Sequence, residues 1–142
     1  MRREISWSLL SIAWFAVLIA EARADIAVIV NSSNDVSLSK EEIKNIFLSK
    51  KNRFPNNVPA KPVDQPDSRP IRKEFYSKLA GMDENDLKAY WSVLIFTGDA
   101  SPPKSIPDDE AVKIYVKSNP AGLGYIDSKS VDASVKVVFT LK

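Results

Sequence analysis

The chain has 142 residues, 20 Lys+Arg against 18 Asp+Glu, a formal net charge of +2, no Cys and no His. That length suits one domain of ordinary size. The missing residue types exclude disulfides, a thiolate nucleophile, a Ser–His–Asp triad and a Cys/His zinc site, and the near-neutral charge gives no pull toward nucleic acid.

Met1-Arg2-Arg3 is a short basic start, Ile5 to Ala20 is almost wholly apolar, and Ala22-Arg23-Ala24 is a small-x-small triplet. This is the pattern of a cleavable secretory signal. The apolar run is shorter than the ~20 residues that span a bilayer. The expected division is a signal peptide over 1–24 and one domain over 25–142. No Cys follows the cleavage point, so no lipoprotein anchor is available. The expected location is a bacterial periplasm, outside the membrane.

Asp25 to Val30 (DIAVIV) is an apolar, β-rich run that suits a strand buried on both faces. Asn31 to Asp35 reads as a polar loop. Ser39 and Glu42 form a capping box, flanked by a Leu38–Ile43 staple, and Ile43, Ile46 and Phe47 supply an apolar stripe. This helix should fade near Ser49. Lys50 to Pro70 holds Pro55, Pro59, Pro62, Pro66 and Pro70, leaving room for a short edge or interrupted strand near Ala60 to Val63. Asp67 or Ser68 then reads as the cap of a helix with Pro70 in its first turn; Ile71, Phe75 and Leu79 form its apolar side and Gly81 its end.

Asp83 opens a third helix, whose stripe is Leu87, Tyr90, Trp91, Leu94 and Ile95, with Gly98 as the stop. In that stripe, Tyr90 and Trp91 read as core residues rather than a sugar-stacking pair. Asp99 to Pro107 reads as a loop. A fourth helix follows, with Asp108, Asp109 and Glu110 matched to the positive end of its dipole and Ala111/Tyr115 and Val112/Val116 as apolar pairs. Gly122 to Ile126 is a short strand. Val135 to Leu141 alternates apolar and polar residues as a terminal strand. The order β-α-β-α-α-α-β-β predicts an α/β domain with a mixed central sheet flanked by helices.

Three segments together resemble the phosphate-type substrate-binding proteins of ABC transporters, members of the type 2 periplasmic binding fold. Leu38 to Lys50 (LSKEEIKNIFLSK) resembles the family's Ls..ei..IFlGk segment, and Pro62 to Phe75 (PVDQPDSRPIRKEF) occupies the place of vvR.dgSGTr..F. Asn119 to Ile126 (NPAGLGYI) is similar to nPGaIGYv. The resemblance runs from Asp25 to about Asp127 and covers only the inserted lobe of a two-lobed design, so it implies a single-lobe relative. It also implies an anion loop. The family's Arg before that loop falls on Gln65, and its Ser-Gly-Thr falls near Ser68-Arg69-Pro70-Ile71, with the Gly and Thr replaced.

The chemistry of that loop is a helix N-terminus, which favours anions through free N–H groups and its dipole. Ser68 offers a hydroxyl, and Arg69 and Arg72 offer guanidinium forks matched to phosphate. Asp67 repels an anion unless it accepts a proton from one. Asn31 and Ser32, at the end of the first strand, are second candidates. The expected ligand is a small oxyanion such as phosphate, with no cofactor, no metal and no enzymatic activity. The expected partner is an inner-membrane transporter or a sensor protein. The alternative is an interaction or sensor domain that kept the fold and binds no ligand. Lys50, Lys51 and Arg53 make a basic patch too small for nucleic acid.

Overall fold

β1 (Ile26–Asn31) is buried along its whole length, and its side chains divide between two cores. Ile26, Val28 and Val30 face one cluster; Ala27 and Ile29 face the other. The period-2 geometry of a strand imposes this division, and only a strand covered on both faces tolerates five consecutive apolar residues. The computed structural model describes residues 25–142, so the expected signal segment lies outside the described residues.

The first core is covered by three helices: α1 (Lys40–Phe47), α2 (Pro70–Ala80) and α3 (Glu84–Thr97). They contribute Ile43, Ile46, Phe47, Phe75, Tyr76, Leu79, Leu87 and Trp91. Phe75 stacks on Tyr125 at 3.8 Å and meets Phe47 edge-on at 4.8 Å. Each such aromatic contributes about 2 kcal/mol through burial. The second core is covered by α4 (Asp109–Ser118), through Val112 and Val116. The result is three layers, helix on sheet on helix. No helix among the described residues is long and apolar enough to cross a membrane.

The remaining strands are β2 (Lys61–Asp64), β3 (Lys104–Ser105), β4 (Gly122–Asp127) and β5 (Val135–Leu141), with one 3-10 turn at Ser128–Ser130. The sheet order is β3-β2-β4-β1-β5. β2 runs parallel to β3 and β4, whereas β1 runs antiparallel to β4 and β5. The sheet is therefore mixed, as the element order predicts. The antiparallel direction of β1 sends its C-terminus to the opposite end of the sheet from the C-termini of β2 and β4.

Local signals hold at most boundaries. Ser39 and Glu42 close their capping box, and Asp83 and Asp86 close another at α3. Gly81 and Gly98 end α2 and α3 in the left-handed region, at φ 63° and 74°. Four expectations are corrected. Lys104–Ser105, expected in a loop, adds a two-residue strand beside β2, too short for a periodic signal. The cap of α2 is Arg69, with no side-chain hydrogen bond, rather than Asp67 or Ser68; Pro70 at the first position sets the start by its fixed φ. Ile95 is 56% exposed, whereas Leu94, one position earlier on α3, packs against the first core. The alternation of β5 breaks at a bulge. Val28 pairs with Phe139 and Ile29 with Val137, so Val138 is the extra residue, and Val138 and Phe139 both pack on the first core.

Candidate functional site

β2 ends in a carboxylate, Asp64, that is only 4% exposed. A buried charge demands partners, and four donors meet it. Oδ1 accepts from the Tyr125 hydroxyl and from the Gln65 backbone N–H at 2.8 Å. Oδ2 accepts from the Tyr76 hydroxyl at 2.8 Å and from Arg72 Nε at 3.3 Å. Asp64 thus ties the end of β2 to α2 and β4. Burial, and then the charge of Asp64, push both tyrosine hydroxyls well above their ordinary pKa. Both hydroxyls donate to Asp64.

Arg72 lies in the first turn of α2 and carries the balancing charge. Its Nη1 reaches both carboxylate oxygens of Glu84, at 2.7 and 2.8 Å, and its guanidinium lies 5.3 Å from the Tyr76 ring centroid. Burial works against its charge, but Asp64 and Glu84 outweigh burial and raise its pKa. The guanidinium is committed on two sides to carboxylates of the same chain.

Gln65 follows and is 1% exposed. Its Nε2 donates to the Tyr125 carbonyl at 3.0 Å and to Asp109 Oδ1 at 2.9 Å. Its Oε1 accepts from Arg69 Nε at 3.3 Å. Arg69 also stands 3.7 Å from Asp109. Asp109 in turn accepts from the Asp127 N–H and the Ser130 hydroxyl. The β2–α2 junction is thereby locked to the start of α4 and the end of β4.

Beside this network opens a cleft of about 410 Å³, walled by the β2–α2 turn, α3, and the Pro102–Ser105 segment. Asp64, Asp67 and Glu84 bring carboxylates to it; Arg72 and Lys88 bring cations. The apolar floor is Leu87 and Trp91, and the buried Trp91 indole N–H has no partner. Carboxylates outnumber cations, so the cleft favours a ligand that donates hydrogen bonds over a bare dianion.

Gln65 and Arg72 line this cleft; Ser68 and Arg69 do not. Ser68 is exposed at the turn. Asn31 lies elsewhere: its Nδ2 donates to the Val116 and Lys117 carbonyls at 2.8 and 2.9 Å, closing the C-terminus of α4. Its Oδ1 accepts from Ser33. Ser32 is exposed next to it. Asn31 and Ser32 sit at the far end of the sheet, because β1 is antiparallel to β4, so the two candidate groups do not share a site. Gly124 serves packing: an added Cβ would stand 2.5 Å from Val112 Cγ1. Sequence reasoning missed Asp64, Tyr76, Glu84, Lys88 and Tyr125. The one available signal was a carboxylate at the end of a short strand with an arginine eight residues later.

The fold is that of one part of two longer solved structures. The domain matches an ABC-type phosphate transport receptor from Vibrio cholerae with a TM-score of 0.65 and 23% identity, over 81% of this chain and 46% of that one. It also matches a protein from Clostridium perfringens described as a phosphate ABC transporter substrate-binding protein, solved with bound phosphate. There the TM-score is 0.61 and the identity 24%, over 81% of this chain and 45% of that one. The chain spans less than half the length of either structure. No protein-family model matches the chain, and no curated protein is similar to it in sequence.

Proposed function

We propose that this chain is an exported solute-binding-protein-type module that takes a small, protonated oxyanion at the β2–α2 cleft for a membrane transporter or sensor in the periplasm. The observation that carries this reading is the N-terminus of α2. It has no capping side chain, unlike α1, α3 and α4, and it stands at the cleft that holds Arg72 and Lys88. Pro70 has no N–H and the Arg72 N–H donates to the Arg69 carbonyl at 3.1 Å, so the Ile71 N–H is the donor this first turn leaves for an anion. The solved structures of similar fold, one with phosphate bound, support the same ligand class. Asp67, exposed at the cleft, restricts the ligand to one that still carries a proton.

A second reading has its own support. Arg72 is already satisfied by Asp64 and Glu84, so an anion must compete with two carboxylates for it. Among the described residues the cleft also stays open on one side, and small-molecule sites enclose most of their ligand. On this reading the chain is an interaction module that binds no solute.

Titration calorimetry with phosphate and with sulfate separates the two. The oxyanion reading expects heat with phosphate, little with sulfate, and a gain in relative sulfate affinity in Asp67→Asn. No heat with either anion at millimolar concentration overturns it and leaves the interaction module.

A further inference from the structure

The C-terminal half of α3 presents apolar surface that this chain leaves uncovered. Val93 is 63% exposed, Ile95 56% and Phe96 93%. Leu87 and Trp91 turn inward. The outward stripe is Asn85, Ala89, Ser92 and Phe96, with Val93 beside it, and every one of these residues is exposed. A solvent-facing helix stripe ordinarily carries charge; this one carries none over three turns. The Ser92 hydroxyl is spent on its own helix, donating to the Lys88 carbonyl at 2.6 Å. The spacing of the stripe, four then three then four residues, is that of a helix–helix seam.

We propose that α3 is the docking face for a second copy of this chain, the two helices crossing antiparallel about a two-fold axis level with Val93. In that pairing the large Phe96 of each chain seats over the small Ala89 and Ser92 of the other. The same register brings Lys88 of each chain level with Asp99 of the second copy, twice by symmetry. Neither Lys88 nor Asp99 makes an ion pair among the described residues. Charge complementarity and size complementarity therefore select one register. The face adjoins the cleft, since Lys88 belongs to both. A single helix pair is a small interface, so the association is weak and reversible.

Sedimentation velocity on the purified protein, from about 1 to 500 μM, tests the proposal across the range of weak complexes. Reversible dimerisation is expected. Phe96→Glu should leave a monomer with an unchanged circular dichroism spectrum. Lys88→Glu should weaken the dimer about five- to tenfold, and Lys88→Glu combined with Asp99→Lys should restore it. The absence of native cysteine allows a register check. A short bismaleimide should link Val93→Cys chains and not Ile114→Cys chains, Ile114 being exposed on α4. A monomer at all concentrations overturns the proposal, as does a dimer indifferent to Phe96→Glu or linked equally at both positions.

Discussion

Arg72 Nε stands 3.3 Å from Asp64 Oδ2 across the junction of β2 and α2, and both side chains are largely buried. The Tyr76 and Tyr125 hydroxyls complete the shell of Asp64. Removing its charge strands Arg72 on that side and leaves two hydroxyls without a charged acceptor. Asp64→Asn should destabilise the domain by about 3 kcal/mol, the range for breaking one side of a buried pair. Tyr76→Phe should cost about 1 kcal/mol, since one hydrogen bond is lost and no charge is orphaned. Urea unfolding of both variants checks the ratio; equal effects would show that the charge of Asp64 is not what the network holds.

The same hydroxyls make stability depend on alkaline pH. Burial and the Asp64 charge raise the folded-state pKa of Tyr76 and Tyr125 above the unfolded value near 10. A raised pKa means the unfolded state releases protons first. The contribution is complete below about pH 10 and is lost above it, by about 1.4 kcal/mol per pH unit for each tyrosine. Phenolate absorbance should show both tyrosines silent in the native protein until it unfolds. Tyr76→Phe should flatten the pH profile. A profile unchanged in that variant would contradict the assignment.

Gly124 lets α4 approach β4 closely. Alanine there places Cβ 2.5 Å from Val112 Cγ1 and 3.3 Å from Val63 Cγ2. Gly124→Ala should cost about 1–3 kcal/mol through overpacking. Val112→Ala in the same chain should recover part of that loss, which a double-mutant cycle in thermal unfolding would register as coupling.

Asn31 closes the end of α4 through two carbonyls. Asn31→Ala should cost about 2 kcal/mol by leaving buried carbonyls unpaired. Asn31→Asp should cost more, because a carboxylate would face those carbonyls. Neither change should alter any response to phosphate, since Asn31 lies at the opposite end of the sheet from the cleft. A shifted phosphate titration in folded Asn31→Ala would place the site at β1 instead.

Much of the fold was legible because it rests on short-range signals. The capping box at Ser39, the helix start at Asp83, the stops at Gly81 and Gly98 and the two-faced burial of β1 all follow from residues within a few positions of one another. The segment of Lys104 and Ser105 was not legible, because a two-residue strand has no period and forms only where β2 offers an edge. The bulge at Val138 escaped for the same reason: bulges are set by the partner strand, here β1.

The candidate site divides along the same line. Residue types alone excluded thiol and imidazole chemistry, and the family resemblance pointed to the start of α2, where Arg72 offers a guanidinium. Only the tertiary structure showed that Arg72 is held by Asp64 and Glu84, which are eight residues before it and twelve after it in the chain. Only the sheet topology separated Asn31 from Gln65, by running β1 against β4. Local sequence determines where a helix starts and which face is apolar, because those energies arise within one turn. Which charges neutralise one another, and which apolar face stays uncovered on α3, is decided by packing between distant segments, and no spacing along the chain encodes that distance.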